Sequence, residues 1–135
     1  MKTELMYLVW VTALTGLIWI PYVVDRVRLG GLISATGYPQ QPGPVSGWAK
    51  RMKAAHENAI ENLVLFAILV LSANAMGISN PATELACAIY FWARLIHLVS
   101  YTFAIPWART LAFVVGFVAQ ACLVFQLLAY STPPA

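Results

Sequence analysis

Apolar residues run almost unbroken through four stretches of the chain, at about 5–24, 55–76, 82–103 and 107–130. An α-helix rises 1.5 Å per residue, so about 20 such residues cross the roughly 30 Å of a bilayer's hydrocarbon. The pattern therefore predicts four transmembrane helices. Residues 25–50 form the one long connection, broken by Gly30-Gly31, Gly37-Tyr38-Pro39 and Pro42-Gly43-Pro44, which are turn and breaker signals. The other links are short: Gly77-Ile78-Ser79-Asn80-Pro81 and Ala104-Ile105-Pro106. Short links force neighbouring helices to run antiparallel. The predicted fold is an all-α membrane protein, an up-down four-helix transmembrane bundle, with residues 1–135 as a single domain. No internal repeat, low-complexity segment or heptad seam interrupts this reading. The N-terminal run, Leu5 to Val24, is longer than the apolar core of a signal peptide and ends in the bulky Trp19-Ile20-Pro21-Tyr22, so it reads as a retained span.

Composition agrees. Of 135 residues, 61% are hydrophobic and 10% charged, against about 25% charged in soluble domains. Charge then supplies an orientation. Arg26, Arg28, Lys50, Arg51 and Lys53 flank the long loop, and Arg94 and Arg109 lie towards the third-to-fourth connection on the same side. Only Lys2 lies opposite. Basic residues mark the cytoplasmic side, which places both termini on the non-cytoplasmic side, in a bacterial inner membrane. The net charge of +3 is this asymmetry, and it gives nucleic-acid binding no support. Cys87 and Cys122 each sit inside an apolar stretch, without the spacing of a metal site or disulfide framework. Arg26 and Arg28 read as interfacial anchors. Tyr7, Trp10, Trp92, Trp107 and Tyr130 read as interface belt or packing.

The candidate chemistry lies where a bilayer rejects it. The apolar part of the second span, Leu63 to Met76 apart from Ser72 and Asn74, covers only about 21 Å. That helix must submerge His56, Glu57, Asn58, Glu61 and Asn62 to cross. The third span carries Arg94, with His97 and Tyr101 following. A charge deep in a span costs about 2.5–3.5 kcal/mol even on gentle insertion scales, so opposite charges at similar depth invite pairing. At about 100° per residue, Arg51, Ala54, Asn58, Glu61 and Asn62 share one side of the second helix. Tyr90, Arg94, His97 and Tyr101 share one side of the third. The expectation is a polar cleft opening to the cytoplasm, with Glu61 and Arg94 as an ion pair. Such residues either glue helices together or line a ligand site, and the pattern alone leaves both open. Gln120 and Gln126 in the fourth span are expected in interhelical hydrogen bonds. One polar cluster in one leaflet, with no polar line through the membrane, argues against a channel or transporter.

The stretch Arg51-Met-Lys-Ala-Ala-His-Glu-Asn-Ala-Ile-Glu-Asn62 resembles the signature of the MAPEG family, the membrane-associated proteins of eicosanoid and glutathione metabolism. Arg94-x-x-His97-x-x-x-Tyr101, then Arg109-Thr110 and Phe113, resembles the family's second signature. The resemblance covers nearly the whole chain and points to a bacterial-type member. It implies a homotrimer with three intersubunit sites facing the cytosol, many of which bind glutathione and activate its thiol. By position, Asn58 and Glu61 match residues holding glutathione's polar groups, and Arg51 heads the same ligand-binding motif. Arg94, His97 and Tyr101 match the third-helix wall. Arg109 matches the arginine linked to the thiolate, the single catalytic candidate. Two positions differ from the pattern: Lys50 replaces its opening glutamate, and Ala54 replaces an arginine that forks onto a carboxylate. The gap from Tyr101 to Arg109 is also a residue shorter than in some members.

Two function classes follow from the resemblance. One is a glutathione-dependent transferase or peroxidase of the microsomal type, acting on lipophilic electrophiles that arrive through the membrane lipid. The other is a non-catalytic protein of the same fold that binds lipid or another anionic ligand, or serves as a subunit of a larger membrane assembly.

Overall fold

The computed structural model describes residues 1–131. It contains six helices: α1 (Thr3–Leu17), α2 (Trp19–Gly30), α3 (Leu32–Thr36), α4 (Gly47–Ala75), α5 (Pro81–Thr102) and α6 (Ala108–Ser131). Four segments are long and apolar enough to cross a membrane: Thr3–Gly30, Gly47–Ala75, Pro81–Thr102 and Ala108–Ser131. The first joins α1 and α2 into one rod. Pro21 has no N–H to offer the Leu17 carbonyl, which interrupts the hydrogen-bond ladder. Ile18 at the junction keeps helical angles, φ −61° and ψ −31°, so the rod continues.

Three junctions have clear local causes. Gly31, at φ +84°, ends α2 while its N–H bonds the Val27 carbonyl at 2.9 Å. Gly77, at φ +71°, ends α4, with Gly77 N–H on Asn74 O and Ile78 N–H on Ala73 O, the paired bonds of a Schellman turn. Asn80 starts α5: its side chain accepts from the Ala82 and Thr83 amides, Thr83 returns a bond to the Asn80 N–H, and Pro81 occupies the first turn. That reciprocal cap satisfies donors the helix cannot.

The long connection is shorter than the turn residues alone predict, because α2 runs on to Gly30 and α4 begins at Gly47. Asp25 explains both extensions. It is buried, and it accepts from the Ser46 N–H at 2.8 Å, the Ser46 hydroxyl at 2.7 Å and the Arg28 guanidinium at 3.2 Å. The carboxylate therefore seals the start of α4 against α2. Arg28, expected to be an interfacial anchor, is paired with Asp25 while its side chain stays largely exposed.

The core is small and mid-bundle. Leu8 and Val11 of α1, Phe66 and Val70 of α4, Tyr90 and Cys87 of α5, and Ala119 and Leu123 of α6 meet there. Phe66 and Tyr90 stack with centroids 3.8 Å apart. Both cysteines are free thiols. Large apolar side chains such as Leu111, Phe117, Phe125 and Leu128 point outward from α6, the arrangement expected where the solvent is lipid. At the end of the bundle near the N-terminus, the buried Glu4 accepts from the Thr83 hydroxyl at 2.6 Å, and Asn80 Nδ2 donates to Gln126 Oε1 at 3.0 Å. Gln120 Nε2 donates to the Asn62 carbonyl at 3.2 Å. Both glutamines thus bond between helices.

A candidate anion site between α4, α5 and α6

The helices set polar side chains at two levels near the ends of α4 and α5 that face away from the N-terminus. The outer level is fixed by Arg51, whose Nε donates to the Thr102 carbonyl at 3.0 Å. This ties the first turns of α4 to the last turn of α5, where carbonyls lack helical partners. Arg51, Ser100, Tyr101, Arg109 and Thr110 line a cavity of about 240 Å³, closed by the 104–107 turn. The Arg109 guanidinium lies over the Tyr101 ring, 4.4 Å from its centroid.

That turn is strained. Ala104 and Trp107 hold φ of 55° and 66°, a region that costs a non-glycine residue of order 1–3 kcal/mol. The strain is held by bonds from Ala104 N–H to Tyr101 O and Ile105 N–H to Ser100 O. Both strained residues line the cavity.

The inner level lies seven residues further along α4, about 10 Å deeper. Arg94 is buried there, and its Nη2 donates to Asn58 Oδ1 at 2.8 Å and meets His97 Nδ1 at 3.3 Å. Asn62 Nδ2 donates in turn to the Asn58 carbonyl at 2.9 Å. The Arg94 Nε is buried without a hydrogen-bond partner. His97 is buried against Tyr101 and Phe113.

The expected Glu61–Arg94 ion pair is absent. Glu61 is exposed on the outer stripe of α4 with Glu57, Ile60 and Val64, and Arg94 takes the neutral Asn58 instead. Position 61 lies about 60° around the helix from position 58, enough to carry it off the inward face. Among the described residues the one ion pair is Arg28–Asp25. Arg51, Arg94 and Arg109 therefore have neutral partners throughout; Arg94 is the buried one of the three, and a buried cation without a counter-charge is costly. The arrangement suits an anion. No group of three metal-ligating side chains exists among the described residues.

Sequence reasoning missed Asp25, Ser100 and the pairing of Tyr22 with His56, whose hydroxyl and Nδ1 stand 2.7 Å apart. Ser100 was legible in principle, since it follows His97 by three residues on the same helix face. The Asp25 and Tyr22 contacts cross between separate helices, and no local pattern encodes them.

No curated protein matches this sequence significantly. The model of the MAPEG family matches residues 6–129.

Proposed function

Since the chain belongs to the MAPEG family, we propose that it is a glutathione-dependent transferase or peroxidase acting on lipophilic electrophiles. The observation that carries this reading is the set of three arginines, Arg51, Arg94 and Arg109, gathered at one end of the bundle with no carboxylate partner among the described residues. Glutathione is anionic, so its carboxylates fit a donor set of this kind. The buried, unpartnered Arg94 Nε is consistent with an environment short of acceptors.

Bound glutathione would supply a thiol as nucleophile. The chain's own contribution is charge and position. Arg109 and Arg51 bind carboxylate or thiolate at the outer level, and a cation beside a thiol favours the reactive thiolate. Tyr101 orients Arg109 through its ring face. Asn58 holds the Arg94 guanidinium in place and so fixes the charge of the inner wall. An apolar substrate reaches the site from the membrane, and the outward apolar surface of α6 is compatible with that route.

A homotrimer belongs to the same proposal. Glu57 and Glu61 are exposed on a membrane-crossing helix, which lipid does not tolerate cheaply. A neighbouring copy covering this stripe would shield both carboxylates and bring Glu61 to an intersubunit site. The asymmetry of the basic residues supports placing both termini on the non-cytoplasmic side of a bacterial inner membrane, with the site facing the cytosol.

The test is a thermal-shift titration with glutathione in detergent, followed by conjugation of an activated aryl halide. A ligand that binds only the folded state raises its apparent stability. No shift at millimolar glutathione would remove this reading. Ala54 favours a second one: it is half-buried where a guanidinium would fork onto a carboxylate. A non-catalytic protein that binds a lipid headgroup or another anion, or joins a larger membrane assembly, needs no such fork.

A further inference from the structure

The connection between α2 and α4 is a loop tied at its base, with an apolar tip. Its base is sealed by Asp25 and Ser46. Just above, the backbones of Gly30 and Gly43 pass in contact range: a Cβ on Gly43 would stand 3.6 Å from the Gly30 Cα and 3.4 Å from the Ser34 hydroxyl. Beyond this contact the loop presents Leu32 at 64% exposure, Ile33 at 89% and a fully exposed Tyr38. Both α3 side chains are largely uncovered by the rest of the protein, and both follow directly from the end of a span.

We propose that this tip is a membrane-surface anchor, with Leu32 and Ile33 inserted at the headgroup–acyl boundary of an anionic leaflet and Tyr38 at headgroup level. Three observations carry it. First, the rod Thr3–Gly30 has 28 residues, about 42 Å at 1.5 Å per residue, and a bilayer with its headgroups measures about 40–45 Å. Gly30 therefore lies at the headgroup surface, and the bend at Gly31 turns α3 away from the rod axis. Second, α2 already presents exposed apolar side chains on the way to this end of the span, among them Ile20, Val24 and Leu29, and Leu32 and Ile33 follow it by two and three residues in the chain. Third, no acidic residue lies between Asp25 and Glu57, while Arg26, Lys50 and Lys53 do and stand in no ion pair among the described residues. Exposed apolar side chains in a segment flanked by cations suit an anionic lipid surface.

The experiment places an environment-sensitive fluorophore on Ile33→Cys, and separately on Leu32→Cys, in the full chain carrying Cys87→Ala and Cys122→Ala. The labelled protein goes into nanodiscs of phosphatidylcholine alone or mixed with phosphatidylglycerol. A label on Gln41→Cys serves as the loop's solvent reference. The anchor predicts blue-shifted emission at 32 and 33, quenching by spin-labelled lipid but not by iodide, and a larger shift with phosphatidylglycerol. Quenching by iodide at both positions, as at 41, would overturn it. Protection from both quenchers would overturn it too, because protein rather than lipid would then cover the tip.

Discussion

Asn58 offers its side-chain carbonyl to the buried Arg94 guanidinium, Oδ1 to Nη2 at 2.8 Å. The contact joins α4 to α5 at the depth where the bilayer is least forgiving. It also makes a neutral amide the acceptor for a charge, leaving the carboxylate one turn away unpaired with it.

This relationship yields a contrast between neighbours. Asn58→Ala removes an acceptor from a buried cation and should cost about 1.5–3 kcal/mol. Glu61→Gln should stay within about 0.5 kcal/mol in detergent-solubilised monomer. Thermal unfolding of the two variants side by side checks this, and the reverse ranking would restore the Glu61–Arg94 ion pair.

Arg109→Ala should lower conjugation at neutral pH by about tenfold, the effect of raising a thiol's pKa by one unit. Removing the cation disfavours the thiolate, so less of it is present at neutral pH, and the loss should shrink as pH rises towards the ordinary thiol pKa near 8.5. A pH–rate profile of the variant against the parent protein reads the effect. A loss that is constant with pH would assign Arg109 a binding role only.

Ala54→Arg separates the two functional readings. If the ligand is glutathione, the added fork should tighten binding by about tenfold or more, the worth of a charge-assisted hydrogen bond. If the natural ligand is a different anion, glutathione affinity should not change. Isothermal titration in detergent distinguishes them.

Asp25→Ala leaves the Ser46 N–H and hydroxyl without their acceptor and should cost about 1–3 kcal/mol. The 37–45 segment should become more susceptible to protease, because the seal at its base is lost. Unchanged cleavage would mean that the glycine contact alone holds the loop.

Thr83→Val removes a donor to the buried Glu4 carboxylate and the acceptor of the Asn80 N–H, and should destabilise by about 1–3 kcal/mol without altering anion binding at the far end of the bundle. Denaturation and ligand titration on one preparation test both halves of the statement.

Much of this was legible in the chain. Hydropathy alone places four crossing segments, because apolar length is what a bilayer demands, and the same argument submerges Asn58 and Arg94. The partner of Arg94 was not legible. Asn58 and Glu61 differ by about 60° in helical phase, and only the packing of α5 decides which of them faces inward. The boundaries of the long loop were hidden for a similar reason. Gly37, Pro39, Pro42 and Pro44 advertise a turn, while the residue that extends the flanking helices is Asp25, 21 positions from the Ser46 it binds.

The contact between Arg94 and His97 has a chemical consequence of its own. A guanidinium has hydrogens to give and no lone pair to receive one. A hydrogen bond across the 3.3 Å between Nη2 and Nδ1 requires a bare Nδ1, the neutral tautomer with its hydrogen on Nε2. In this state the polar hydrogen of the imidazole is the one on Nε2. The ring becomes a base only by first releasing Arg94, so proton abstraction at His97 and order in the inner wall exclude each other.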